Sequence, residues 1–162
     1  MILAHGEADF AARLARAGAA GAIVPDLPLH EGEGIRTALR EAGVALVPLV
    51  APTTPENRRR EICESAEGFV YVVSTVGVTG ERGDIPAELA DLVEAVRADA
   101  DVPVAVGFGI STPVQVGEVG RIADGVIVGS RLVREVEQAG GAEEAAAAVS
   151  GFLRGAREAL GS

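Results

Sequence analysis

Two glycine-containing segments of the chain carry residues whose types and spacing suit anion binding. They read GlyPheGlyIleSerThrPro at 107–113 and ValGlySerArg at 128–131, and each follows a short apolar run and precedes helix-like sequence. Glycine lets a backbone approach a ligand closely. The amide groups at a helix N-terminus, with the helix dipole behind them, attract negative charge. The pattern therefore predicts a phosphate site built from backbone amides at two neighbouring strand ends.

Three further features could contribute to such a site. The segment Ser74–Asp84, with Thr79 and Gly80 at its centre, has the glycine hinges of a loop that closes over substrate, and a surface loop is an equally good interpretation. Tyr71, the only tyrosine, lies in an apolar run, where its hydroxyl needs a partner; it belongs either to the core, which its spacing favours, or to the site. Asp26 follows AlaIleValPro, at the C-terminal end of another run.

Several kinds of chemistry are excluded by composition. All fourteen basic residues are arginines, so Schiff-base aldol chemistry, a pyridoxal phosphate lysine and a P-loop are ruled out. No strand end carries a convincing acid–base pair. His5 and His30 are far apart in the sequence and predict no metal site. Cys63 has no histidine nearby and is interpreted as a packing residue.

The same composition limits location and partners. The net charge of −10 argues against a nucleic-acid surface. No apolar run approaches the roughly 20 residues of a membrane span, and the N-terminal residues do not resemble a signal peptide. A single cysteine favours a reducing compartment. We therefore expect a cytoplasmic protein that binds neither nucleic acid nor membrane.

The elements that must position these residues follow from apolar runs and helical spacing. Five runs are apolar nearly throughout, as in parallel strands covered on both faces. They are Gly21–Pro25, Val44–Val50, Gly68–Val73, Val102–Val106 and Asp124–Val128. Segments with helical spacing lie before, between and after them, which predicts one helix followed by five strand–helix units. With no break in composition, residues 1–162 are interpreted as a single domain.

Helix-boundary signals refine this prediction. Thr54-Pro55 and Thr112-Pro113 each read as a cap followed by proline in the first turn, and Gln115 completes a capping box with Thr112. Gly18 and Gly43 stand where helices should stop.

Alternating strands and helices predict a parallel sheet, either doubly wound or part of a (β/α)8 barrel. No GlyxGlyxxGly follows the first strand, and the near-uniform units favour the barrel. A barrel has eight strands and typically about 250 residues, so five strands form part of one.

Long motifs in order and spacing resemble the tryptophan synthase alpha chain family. They are IleValProAspLeuPro at 23–28, ValProLeuValAlaProThrThr at 47–54, PheValTyrValValSer at 69–74, GlyValThrGly at 77–80, ValProValAlaValGlyPheGlyIleSerThrPro at 102–113 and AlaAspGlyValIleValGlySer at 123–130. The resemblance covers nearly the whole chain. It aligns the five strands with strands four to eight of the family's barrel.

The resemblance implies a partial (β/α)8 fold and a lyase reaction of tryptophan biosynthesis, the cleavage of indole-3-glycerol phosphate to indole and glyceraldehyde 3-phosphate. The alpha chain uses no cofactor; pyridoxal phosphate belongs to the beta chain, its partner. The implied positions are Gly80, Gly107, Phe108, Gly109, Gly129 and Ser130 around the phosphate, Thr79 on the closing loop, Tyr71 near the indole and Asp26 on the rim facing the beta chain.

The family's general acid–base glutamate and its indole-binding aspartate lie on segments that these 162 residues do not include. The resemblance therefore implies no catalytic residue here, and we expect a fragment that is inactive alone. Two alternatives stay open: a non-catalytic module that binds a phosphorylated ligand or the beta chain, and another phosphate-binding barrel enzyme. An opened barrel has two unpaired edges, at Gly21–Pro25 and Asp124–Val128, which predicts a homo-oligomer or a complement to the missing half-barrel.

Overall fold

The structure, a computed structural model, describes residues 2–27, 31–74 and 87–161. Helices and parallel strands alternate along it, which confirms the predicted α/β class. The elements are α1 (Ile2–His5), α2 (Glu7–Arg16), β1 (Gly21–Ile23), α3 (Glu33–Glu41), β2 (Ala45–Val47), β3 (Leu49–Val50), α4 (Glu56–Glu64), β4 (Val70–Val73), α5 (Ala87–Asp99), β5 (Val104–Gly107), α6 (Pro113–Val119), β6 (Gly125–Ile127), α7 (Ser130–Gln138) and α8 (Ala142–Ala159).

All five predicted runs form strands, and Pro48 divides one of them into β2 and β3. Proline has no N–H, so the hydrogen-bonded ladder is interrupted at that point. The first half of the run pairs with β1, whereas the second half pairs with β4 in the order β3–β4–β5–β6. The Pro48 carbonyl still accepts a hydrogen bond from the Tyr71 amide at 2.9 Å. The chain therefore leads directly from the two-stranded sheet, through Pro48, into the four-stranded sheet.

Side chains on the two faces of the sheet have different surroundings. Val70, Val72, Val104 and Val106 are fully buried in a cluster that includes residues of α4, α5, α6 and α8. Burying one such side chain contributes about 1.5–3 kcal/mol. The alternate residues, among them Tyr71, point to the opposite face, which corresponds to the inside of a barrel.

A second, smaller cluster joins α2 and α3 to the start of β2. Ala11, Ile35, Leu39 and Val44 are its buried members. The two helices end as predicted, because Gly18 and Gly43 follow them with φ of +74° and +71°.

Several details differ from the sequence predictions, including two helices, α1 and α2, where one was predicted before β1. Pro55, with extended backbone, is the N-cap of α4, and Thr54 instead accepts a hydrogen bond from the Ala51 amide at 3.0 Å. The last strand is followed by two helices, α7 and α8, rather than one. The consecutive charges of Arg58-Arg59-Arg60 predict a solvated helix face, whereas Arg59 is only 16% exposed and pairs with Asp99 at 2.9 Å.

The predicted packing role of Cys63 is confirmed, since the thiol lies in the larger core cluster. Burial, reinforced by the negative charge of Asp99, raises its pKa to about 11. A thiol held protonated in this way is a poor nucleophile. In the described ranges, no helix is long and apolar enough to cross a membrane, and no three His, Cys, Asp or Glu residues could share a metal ion.

The outermost strands of the two sheets, β1 and β6, each have an unpaired edge within the described residues. There, β1 pairs only with β2, and β6 pairs only with β5. Ile23, on the inner face of β1, is 43% exposed. These are the edges that the five-strand prediction places at Gly21–Pro25 and Asp124–Val128.

Asp124 links β5, β6 and α5 at the N-terminal end of the sheet. Its carboxylate accepts a hydrogen bond from the Val104 amide at 2.8 Å and pairs with Arg97. The Val104 hydrogen bond, opposed by partial desolvation and aided by Arg97, lowers the pKa of Asp124 below its ordinary value of 3.8. Because the folded chain then binds this proton less tightly than the unfolded chain, the stabilisation is full above the unfolded pKa. It is lost as pH falls through the lower, folded pKa.

We therefore expect the free energy of unfolding of Asp124→Asn to fall less steeply than that of wild type as the pH is lowered into the acid range. The stability difference between wild type and variant should be largest at about pH 5 and shrink at about pH 3, as measured by urea unfolding. Asp101→Asn is the matched control, because Asp101 is an exposed residue in the turn before β5 and pairs with no described residue. Parallel pH profiles for wild type and Asp124→Asn would contradict this role.

Candidate phosphate-binding site

The C-terminal ends of β4, β5 and β6 lie level with one another. Val73 is paired with Gly107, and Gly107 with Ile127. The segments that follow these strands therefore emerge at the same edge of the sheet, where ligands bind in parallel α/β folds.

A cavity of about 350 Å³ opens at this edge. It is lined by Tyr71, Phe108, Gly109, Ile110, Ser111, Ile127, Gly129, Ser130, Arg131 and Arg134. Five residues that the resemblance assigns to the substrate, which are Tyr71, Phe108, Gly109, Gly129 and Ser130, are thus brought together. The cavity answers one question that the sequence left open, because Tyr71 faces it from the inner side of the sheet.

Only glycine fits at position 107, because the Tyr71 side chain occupies the space that a Cβ atom would need. A Cβ atom on Gly107 would lie 2.6 Å from Tyr71 Cε2, closer than real atoms approach. The tyrosine ring also packs at a tilt against Phe108, with centroids 6.0 Å apart. Burial raises the pKa of Tyr71, so the phenol is neutral at physiological pH. Gly107 therefore leaves room for the Tyr71 ring, which lines the cavity, and does not itself line the cavity.

The loop after β5 takes an unusual backbone path. Phe108 has φ of +76°, the only non-glycine residue with positive φ in the described part of the chain, and Gly109 follows at +75°. Ser74 holds the start of this loop: its amide donates to the Gly107 carbonyl at 3.0 Å and its hydroxyl to the Phe108 carbonyl at 2.8 Å. Sequence reasoning assigned Ser74 only to the start of a loop.

The predicted capping box at the start of α6 is confirmed. Thr112 accepts from the Gln115 amide at 3.3 Å, and Gln115 Oε1 accepts from the amides of Ser111 and Thr112 at 2.8 and 3.1 Å. These two amides are therefore already satisfied, and the start of α6 does not offer them to an anion. The amide of Gly109, earlier in the loop, has no acceptor among the described residues.

The start of α7 is arranged differently. Gly129 is its N-cap and provides no side chain to accept from the first amides. The Gly129 carbonyl accepts from Leu132 and Val133, but no described residue accepts from the Ser130 amide. A helix N-terminus with free amides beside a cavity can bind an anion.

Two arginines also line the cavity. Arg131 pairs with Glu135 and lies 5.8 Å above the Phe152 ring. Arg134 pairs with no carboxylate in the described part of the chain. Sequence reasoning missed Arg134, although its position one turn after Ser130 places both on one helix face. No Asp, Glu or His is among the described residues that line the cavity.

The remaining predicted residues lie elsewhere. Asp26 is exposed in the turn that follows β1, beside a second cavity of about 320 Å³ whose lining includes Pro25 and Leu27. Thr79 and Gly80 fall outside the described residues.

Comparison with known proteins agrees with the resemblance. The family model for the tryptophan synthase alpha chain matches residues 1–160. The alpha chain of Carboxydothermus hydrogenoformans is 48% identical over 136 residues, 84% of this chain and 51% of that protein. The alpha chain of Gloeobacter violaceus is 50% identical over 135 residues, 83% of this chain and 49% of that protein. The chain thus spans about half the length of these curated relatives.

Solved structures give the same result. The tryptophan synthase a2b2 complex of Pyrococcus furiosus contains a chain that is 34% identical, with a TM-score of 0.83 over 99% of this chain and 63% of that one. The alpha subunit from Campylobacter jejuni is 29% identical, with a TM-score of 0.82 over 93% of this chain and 60% of that one. These neighbours are (β/α)8 barrels, so the parallel strands form part of such a barrel. Matched by the family model over nearly its whole length, the chain belongs to the tryptophan synthase alpha chain family.

Proposed function

We propose that the chain supplies the phosphate-binding half of a tryptophan synthase alpha-type lyase. The proposed reaction is cleavage of indole-3-glycerol phosphate to indole and glyceraldehyde 3-phosphate, without a cofactor in this chain. Family membership supports the reaction class. The observation that carries the proposal is the cavity at the ends of β5 and β6, where the amides of Gly109 and Ser130 have no acceptor among the described residues.

The proposed phosphate contacts suit a substrate that must be held at one end. Backbone amides on a strand end and a helix start are rigid donors, so they bind a phosphate with little reorganisation. Arg134, which pairs with no carboxylate in the described part of the chain, adds positive charge to the lining of the cavity in a chain whose net charge is −10. Tyr71 and Phe108 offer apolar surface beside these donors, which suits the indole ring. Gly80 and Thr79 are proposed to complete the site by resemblance.

The proton transfers of the reaction need groups from outside this part of the barrel. Breaking the carbon–carbon bond of the substrate requires a general acid and base. The described lining of the cavity holds no carboxylate or imidazole. We propose that the family's glutamate and aspartate perform these transfers from segments that the 162 residues do not include.

A tryptophan synthase beta chain is the proposed partner. The Pyrococcus furiosus neighbour comes from an a2b2 complex. Asp26 is exposed in the turn that follows the C-terminal end of β1, and the phosphate cavity lies at the C-terminal ends of β5 and β6. An exposed carboxylate on this rim is available to pair with a basic residue of a partner.

Gly129→Asp tests the phosphate site. The substitution puts a carboxylate where the phosphate is proposed to lie, so like charges repel, and we expect binding of glycerol 3-phosphate to be lost in calorimetric titration. Gly141→Asp is a matched control, because Gly141 is also a helix N-cap and a Cβ atom added there would have nothing within 4 Å, as at Gly129. The control should bind as wild type does. Unchanged binding by Gly129→Asp would place the site elsewhere.

The isolated 162 residues should release no detectable indole from indole-3-glycerol phosphate, because both proposed proton-transfer groups are absent. An indole assay on pure protein, with and without beta chain, measures this. Phosphate binding without turnover is the result expected of these residues alone, and indole release that returns when the missing half-barrel is added would distinguish the lyase from a non-catalytic binding module. Turnover by the pure chain would contradict the assignment of the acid and base to other segments.

We also propose that the 162 residues associate through their open sheet. The strands β1 and β6 each lack a second partner within the described residues, and unpaired edges and exposed apolar residues such as Ile23 favour pairing with another chain. The charge of −10 opposes unlimited aggregation, so we expect a closed homodimer, or a complex with the missing half-barrel when that is added. Light scattering at micromolar concentration measures this. A monodisperse monomer that unfolds cooperatively would contradict the proposal.

A further inference from the structure

The backbone at Phe108 is held in a conformation that its side chain disfavours. A left-handed backbone is uncommon for any residue other than glycine and is strained for a bulky side chain. Phe108 nevertheless adopts φ of +76° although the residue is 55% exposed. A residue this exposed gains little from burial, so side-chain packing alone does not account for this conformation.

A buried hydroxyl fixes the backbone at this point. Ser74 is 5% exposed, and its hydroxyl donates to the Phe108 carbonyl at 2.8 Å. Its amide donates to the preceding carbonyl, that of Gly107, at 3.0 Å. One residue at the end of β4 therefore orients two successive peptide groups of the neighbouring loop.

The orientation of the second peptide group matters for the ligand. The peptide unit that contains the Phe108 carbonyl also contains the Gly109 amide, since both belong to one rigid plane. Fixing the carbonyl toward Ser74 therefore turns the Gly109 N–H to the opposite side. Gly109 lines the cavity, and its amide has no acceptor among the described residues.

We infer that Ser74 is a positioning residue for the phosphate site, acting through the Phe108–Gly109 peptide. The inference rests on the proposed function, because it assumes that the cavity binds phosphate. Without the hydroxyl, residue 108 can relax to negative φ, and only part of the population keeps the Gly109 amide in its binding orientation. The apparent dissociation constant then rises in proportion to the fraction lost.

Ser74→Ala tests this inference, with Ser65→Ala as a matched control. The Ser65 hydroxyl also donates to a backbone carbonyl, that of Ile62, at 3.1 Å, at the end of α4. Each variant loses a hydroxyl–carbonyl hydrogen bond, and Ser65 does not line the phosphate cavity, so Ser65→Ala reports the effect of losing such a bond away from the site. We expect Ser74→Ala to weaken binding of glycerol 3-phosphate about five- to tenfold and Ser65→Ala to leave it unchanged, in calorimetric titrations well below the unfolding temperature.

A second pair of variants covers the case in which Ser74→Ala does not fold. Ser74→Thr and Ser74→Val have the same shape, and only threonine keeps the hydroxyl, so any steric cost of the added methyl group is common to both. We expect the threonine variant to bind more tightly than the valine variant by a similar factor. Equal affinities in this pair, or equal affinities of Ser74→Ala and Ser65→Ala, would overturn the inference.

Failure of the inference can be told apart from failure of the proposed function. If wild type binds glycerol 3-phosphate and Gly129→Asp does not, the site stands, and equal affinities among the serine variants reject only the role of Ser74. If wild type does not bind, the proposed function itself fails, and the role of Ser74 fails with it.

Discussion

The candidate site depends on the register between β4, β5 and β6. Hydrogen bonding aligns Val73, Gly107 and Ile127 at one level, and the loops that line the cavity leave the sheet from that level. A shift of one residue in β5 would exchange its two faces. Val104 and Val106 would then turn away from the helices, and Gly107 would no longer lie beneath Tyr71. The free energy of burying the valines therefore also fixes the position of the site.

Hydrogen bonds made by the side chains of Ser74 and Gln115 then determine which loop amides have no acceptor. Ser74 fixes the peptide between Phe108 and Gly109, and Gln115 accepts from the amides of Ser111 and Thr112. Among the described residues, the Gly109 amide between these two fixed points has no acceptor. The start of α7 leaves Ser130 in the same state, because its N-cap is a glycine. The two glycine-containing loops therefore differ: the backbone amides at the start of α6 are hydrogen-bonded to Gln115, whereas the Ser130 amide at the start of α7 has no acceptor among the described residues.

The open edges and the inner face are explained by the part of the barrel that this chain represents. Helices cover the outer face of β3 to β6 at the larger core cluster and of β1 and β2 at the smaller one. The inner face of a barrel is covered only when the remaining strands close it. Ile23, on the unpaired edge strand β1, is exposed, although its sequence context is that of a buried strand. Most of the buried core of these residues therefore lies between sheet and helices.

The sequence by itself determined the strands, most helices, the capping box at Thr112 and the family, because each depends on local spacing or on motifs that are contiguous in the chain. It did not determine that the run around Pro48 pairs with two different strands, that Arg59 pairs with Asp99, or that Tyr71 faces the cavity. Each of these depends on which strand or helix the fold places next to the residue. It also could not identify Ser74 or Arg134 as residues of the site. Ser74 is 34 residues away from Phe108, and only the parallel pairing of β4 with β5 brings its hydroxyl to that carbonyl.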